Sequence, residues 1–119
     1  MNRRDLGSFG EEQAARYLRR KGYALVGMNY RCRLGEIDLI VRGHGCIVFV
    51  EVKLRRDDRF AQAREFVTRA KQERILATAQ LWLSENETAL QPRFDVVEVY
   101  APAGAEGPIR VEHIENAFS

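Results

Sequence analysis

The spacing of apolar positions changes period several times along the chain, and each change marks an element. Ser8-Phe9-Gly10-Glu11 has the S-x-x-E form of a capping box and predicts a helix running to about Lys21, with Gly22 just past its end. Tyr23 to Cys32 reads as a strand carrying Leu25, Val26 and Tyr30, and Glu36 to Val41 as a second. Arg42-Gly43-His44-Gly45 is a turn, because its two glycines supply the positive φ of a tight reversal. Cys46 to Lys53 is a third strand. Its Ile47-Val48-Phe49-Val50 run is apolar on both faces, the pattern of a central, doubly covered strand. Leu54 to about Phe60 is a charged connection. From about Gln62 to Glu85 the period is helical, with Phe66, Val67, Ala70, Ile75, Ala77, Leu81 and Trp82 on one wide arc. Arg93 to Tyr100 is a strand, Ala101 to Pro108 a Gly/Pro/Ala loop, and Ile109 to Ile114 a short last strand. The order αβββαββ predicts an α/β fold, one mixed sheet flanked by helices, in a single domain spanning residues 1–119.

Composition narrows the class. An apolar fraction of 45% and a charged fraction of 30% are those of an ordinary globular protein. No apolar run approaches the roughly 20 residues that span a bilayer. The basic start Met1-Asn2-Arg3-Arg4-Asp5 leads into a polar amphipathic segment with no apolar core or small-residue cleavage site. The expectation is a cytoplasmic protein without a membrane partner. Cys32 and Cys46 form no CxxC pair, and His44 and His113 have no helical His partner, so zinc is not expected and both cysteines read as small hydrophobes. The net charge of +2 is small, but its distribution is uneven. Arg3, Arg4, Arg16, Arg19, Arg20 and Lys21 crowd the first segment, and Lys53, Arg55, Arg56 and Arg59 the middle. Such clusters are either phosphate footprints or solvated faces.

The middle of the chain carries the chemistry. Glu51 and Lys53 end the most hydrophobic strand, where ionised groups cost several kcal/mol unless paired or bound to a metal. Strand alternation points both the same way, with Cα atoms roughly 7 Å apart. Asp38 lies on the preceding strand, which the hairpin brings alongside. Two carboxylates beside an ammonium suit Mg²⁺ or Mn²⁺, which takes hard oxygen ligands and leaves positions for water and phosphate oxygens. The lysine would orient the attacking water or stabilise developing charge. The competing reading is a cross-strand ion pair at a sheet edge.

The motifs Asn29-Tyr30-Arg31, Gly35-Glu36-Ile37-Asp38-Leu39-Ile40, Phe49-Val50-Glu51-Val52-Lys53, Arg93-Phe94-Asp95-Val96-Val97 and Asn116-Ala117-Phe118 resemble the YraN family, also called UPF0102. That family is similar to the archaeal Holliday-junction resolvases, among the PD-(D/E)xK, restriction-endonuclease-like nucleases. The resemblance covers nearly the whole chain, with GEIDLI and FVEVK its most specific parts. It implies a restriction-endonuclease-like fold and a catalytic core of Asp38, Glu51 and Lys53. Ile37 stands where the superfamily pattern has Pro. The resolvases also carry a glutamate on the first helix, and the matching position is Glu11. Helical phase agrees, since Glu11 shares a stripe with Ala15 and Leu18. Glu11 therefore reads either as a further metal ligand or as the capping-box partner of Ser8.

Four further cations are candidate nucleic-acid contacts. Lys71, with Arg74, interrupts the apolar arc of the second long helix, and the resemblance places a lysine at Lys71. Arg55 and Arg56 begin a charged connection that leaves the catalytic strand, and Arg31, with Arg33, lies near the start of the Asp38 strand. Trp82 and Phe66 read as core. The expected function is a divalent-metal-dependent nuclease acting on DNA, with branched or structured DNA suggested by fold-level analogy alone. The alternative is a nucleic-acid-binding module of the same fold with little or no catalysis. A homodimer would match a symmetric junction, although no interface stripe is evident.

Overall fold

A computed structural model of the chain describes residues 3–56 and 67–118. The elements are α1 (Arg3–Arg20), β1 (Ala24–Cys32), β2 (Gly35–Gly43), β3 (Cys46–Arg55), α2 (Arg69–Glu85), β4 (Gln91–Tyr100) and β5 (Arg110–Ile114). Their order is the expected αβββαββ. The five strands form one sheet in the order β1-β2-β3-β4-β5. The pairs β1–β2, β2–β3 and β4–β5 are antiparallel, whereas β3 and β4 run parallel and are joined through α2.

Alternation along β3 builds a core on each side of the sheet. Val48 and Val50 pack with Leu39, Val97 and Val99 against Ala14, Ala15 and Leu18 of α1. Ile47 and Phe49 face the other way, with Ile40 and Val96, against Ile75 and Ala79 of α2. Each large side chain buried this way contributes roughly 1.5–3 kcal/mol. Trp82 packs edge-on to Phe49, as a core residue does, while Phe66 lies outside the described residues.

Three local expectations are corrected. Helix α1 begins at Arg3, so Ser8 sits inside it and caps nothing. That removes the capping-box role for Glu11. Val67 and Thr68 are not helical: Thr68, extended at φ −61° and ψ 160°, is the N-cap of α2 and accepts a hydrogen bond from the Lys71 N–H at 3.2 Å. Its short hydroxyl chain stops the helical period that Phe66 and Val67 suggested; the remainder of the expected start, residues 62–66, lies outside the described residues. In the β2–β3 hairpin Gly43 pairs with Cys46, leaving a two-residue turn with positive φ at His44 (54°) and Gly45 (78°). That is the type I′ geometry matching strand twist, so a histidine takes one of the two left-handed positions. His44 is held there by a 2.9 Å hydrogen bond between its Nε2 and the Lys21 carbonyl.

Candidate active site

The cleft forms where β2 parts from β3. The two strands pair from the hairpin as far as Leu39 and Val50. Beyond that point Asp38 substitutes for the missing backbone partner, accepting a hydrogen bond from the Val52 N–H through Oδ2 at 2.8 Å. The strand also changes face here. Leu39 lies in the core beneath α1, yet Ile37, two residues earlier, lies in the core beneath α2. A regular strand keeps residues two apart on one face, so β2 is turned at Asp38. Opposite this turn, between the pairs Met28–Leu39 and Tyr30–Ile37, Asn29 of β1 adopts left-handed φ of 53°. Asparagine tolerates that conformation better than most residues. The distortion lets one aspartate sense Glu11 of α1 on one side of the sheet and Glu51 on the other.

The electrostatics of the cleft follow from this convergence. Burial, then the neighbouring charge of Glu51, pushes the Asp38 carboxyl up to about 7; Glu11 and Glu36 add smaller pushes, and the Val52 N–H opposes them. Burial also raises Glu11, against a hydrogen bond from the Asn29 side chain. Glu51 is only 6% exposed, and its Oε1 receives two ammoniums: Lys71 Nζ at 2.5 Å and Lys53 Nζ at 3.4 Å. Burial and the adjacent Lys71 ammonium lower the Lys53 pKa. Burial is the largest influence on Lys71 and pulls it down, but its contacts with Glu51 and Lys53 and the charges of Glu51 and Asp38 together outweigh that and raise it.

Around these groups opens a cleft of about 460 Å³ whose lining includes Arg31, Glu36, Asp38, Glu51, Lys71 and Arg74. Its wall is set by Gly35. A Cβ there would lie 2.9 Å from Thr78 Oγ1 and 3.4 Å from the Arg74 carbonyl, so only glycine lets β2 approach α2 this closely. Arg31 lies at the rim, paired to Glu36 at 3.0 Å.

The structure thus brings Asp38, Glu51, Lys53 and Lys71 together, with Glu11 and Arg31 beside them. It removes Arg55, whose largely buried guanidinium lies 3.7 Å from the fully buried Glu98 carboxylate. An arginine committed to a buried partner is a structural group, not a surface phosphate contact. Arg56 is exposed but does not line the cleft; Arg59 lies outside the described residues. Sequence reasoning passed over Asn29 and Glu36 as site residues. Asn29 had a signal, an asparagine within a strand pattern that disfavours it. Glu36 had none, since its role depends on the turn at Asp38.

Among the described residues no three His, Cys, Asp or Glu side chains stand in ready-made metal-ligand geometry. The donor chemistry nevertheless fits a hard dication. Asp38, which burial and then the Glu51 charge raise to about 7, is a hard oxygen donor that nearby positive charge would stabilise. Asp38 and Glu51 would hold such an ion, with Glu11 near.

The described residues form a helix-flanked mixed sheet that splays around an Asp/Glu/Lys cluster, and comparison with known proteins gives the family of the chain. Residues 10–99 match the model of "Uncharacterised protein family UPF0102". The chain is similar to a UPF0102 protein of Caldanaerobacter subterraneus subsp. tengcongensis, 44% identical over 119 residues, covering 99% of this chain and 98% of that one. A UPF0102 protein of Frankia alni is 47% identical over 114 residues, 95% and 93% of the two chains. A UPF0102 protein of Vibrio parahaemolyticus is 40% identical over 120 residues, 99% and 95% of the two chains. The chain belongs to the UPF0102 family. Among the described residues, no helix is long and apolar enough to cross a membrane.

Proposed function

We propose that this protein is a divalent-metal-dependent nuclease acting on DNA phosphodiester bonds in the cytoplasm, with Asp38 and Glu51 as ligands of Mg²⁺ or Mn²⁺ and Glu11 supporting them. The observation that carries this reading is the meeting of the half-buried Asp38 and the buried Glu51 carboxylates where β2 parts from β3, with burial and the Glu51 charge pushing the Asp38 carboxyl up to about 7. A structural ion pair has no reason to leave a carboxylate so poorly compensated, whereas a metal site does. The bound ion would polarise the phosphoryl group and acidify a water. Lys53, held against Glu51 with a lowered pKa, is placed to orient that water or to donate to a phosphoryl oxygen. Arg31 and Arg74 give the cleft rim the positive charge that a phosphate backbone requires.

The test is cleavage of single-stranded, duplex, flap and four-way DNA with Mg²⁺ or Mn²⁺. Asp38→Asn and Glu51→Gln should each lower the rate at least about a thousandfold, about 4 kcal/mol of barrier. Cleavage that survives both substitutions sinks the assignment. One observation favours a second reading, a nucleic-acid-binding module without catalysis: two lysines already neutralise Glu51. Salt-dependent binding to every substrate, with cleavage of none, would select it. A dimer that presents two clefts to a symmetric junction would show as a doubled mass on junction DNA.

A further inference from the structure

Lys71 does not approach the cleft as a surface cation does. Its ammonium lies 2.5 Å from Glu51 Oε1, the same oxygen that Lys53 reaches at 3.4 Å, so one buried carboxylate oxygen carries two ammoniums. The two lysines differ in how they are held. Lys53 lies two residues from Glu51 on β3, paired with Glu98 of β4, and its side chain is 21% exposed. Lys71 comes from another element, the first turn of α2, and its side chain is 35% exposed. It lines the open cleft, so its four-carbon stem can carry the charge from Glu51 to water without moving the helix.

We propose that Lys71 is the resident counter-cation of Glu51 and competes with divalent metal for it. This rests on the metal-site reading above. A dication on Glu51 would face an ammonium on the same oxygen, and like charges at that separation repel strongly inside a protein. Lys71 therefore leaves Glu51 when metal is taken up and swings toward the cleft mouth, where a phosphate oxygen is its natural partner. Until then it is the nearer of the two ammoniums that compensate the buried carboxylate. One side chain thus holds the site closed to metal and, once displaced, becomes free for the polyanion. Substrate and metal should then bind cooperatively, because phosphate stabilises the displaced ammonium.

The test is a calorimetric titration of Mn²⁺ into the full chain without DNA, comparing wild type with Lys71→Met and Arg74→Met. Arg74 is the control, a cation lining the same cleft from the same helix. Lys71→Met should bind Mn²⁺ about tenfold tighter than wild type, and Arg74→Met within about twofold. Equal effects of the two substitutions would reduce Lys71 to a general field and overturn the competition. If wild type and both variants bind no Mn²⁺, the metal-site reading falls and this one with it. If wild type binds and Lys71→Met binds no tighter, only the role of Lys71 falls. A second readout needs no substitution in the measured protein. After reductive ¹³C-methylation, which keeps the charge, the Lys71 methyl resonance, assigned by its loss in Lys71→Arg, should shift on adding Mg²⁺. An unmoved resonance at saturating Mg²⁺ overturns the proposal.

Discussion

Asp38 and Asp95 lie in one sheet, on strands either side of β3, and their carboxyls have been driven in opposite directions. Burial and Glu51 push Asp38 up to about 7. Asp95 is fully buried, which alone would raise it too, yet hydrogen bonds from His113 and Arg93, with one from the Asn116 N–H, bring it down to about 2. The partners explain the difference. Arg93 grips Asp95 with two nitrogens, at 2.9 and 2.8 Å, while its Nη2 also reaches the Tyr23 hydroxyl at 2.6 Å. His113 meets Asp95 Oδ2 at 2.6 Å through Nε2, and its Nδ1 faces Lys21 Nζ at 2.8 Å. That arrangement fixes His113 as the Nε2–H tautomer. Every lone pair of Asp95 has a donor, and the network ties the α1–β1 connection, through Lys21 and Tyr23, to β4, β5 and Asn116. Asp95, with a donor for every lone pair, is a structural joint, whereas Asp38 lies half-buried among acidic neighbours with a single backbone donor.

The strongest way to break this comparison is to neutralise each aspartate. Asp95→Asn should cost about 3–5 kcal/mol in urea unfolding, because it strands the buried Arg93 charge. Asp38→Asn should leave stability unchanged or raise it by about 1 kcal/mol while abolishing cleavage. A large loss from Asp38→Asn would show that the cleft is a joint after all.

Acid titration of stability, in a chelator, separates the two further. Asp95 has a folded pKa below its unfolded value near 3.8, so its contribution is complete above about pH 4 and is lost as pH falls toward 2. Asp38 has the opposite sign. Its folded pKa lies above 3.8, so the folded state is favoured by protonation, and stability declines as pH rises from about 4 to 7. Asp38→Asn should remove that decline between pH 4 and 7, and a saturating divalent ion should flatten it.

A smaller effect tests how the cleft is shaped. Asn29→Ala should cost about 1–2 kcal/mol because of the left-handed backbone, and Asn29→Gly much less. Both lose the hydrogen bond to Glu11, so both should weaken cleavage alike. Smallest of all, Thr68→Ala should cost about 1 kcal/mol by uncapping α2 at the turn that carries Lys71. Circular dichroism and urea melts would read both.

The fold was legible because β3 announces itself. Four consecutive apolar residues between a Gly turn and a charged end leave no reading but a central strand, and elements on either side follow from it. Glu51 and Lys53 were legible for the same reason, as charges where burial makes charge expensive. What escaped was anything set by distortion or by a distant partner. The turn of β2 at Asp38 has no period to betray it, so Glu36 could not be placed, and Asn29 stood out only as an asparagine inside a strand. Arg55 looks like any basic loop residue until Glu98, 43 positions away, is seen beside it. The Asp95 joint was hidden likewise, because Arg93, His113 and Tyr23 meet it only through the sheet.

The turn at Asn29 has a further consequence, for how the molecule behaves among its own copies. Strand β1 is an edge of the sheet, with Val26 and Met28 about two-fifths exposed upon it. A long straight edge of that kind invites another chain to add a strand. Here the register slips between Leu25 and Gly27, and the backbone turns left-handed at Asn29, so no run of evenly spaced free N–H and C=O groups is offered. The irregularity that aims the acidic cleft also keeps the sheet from growing.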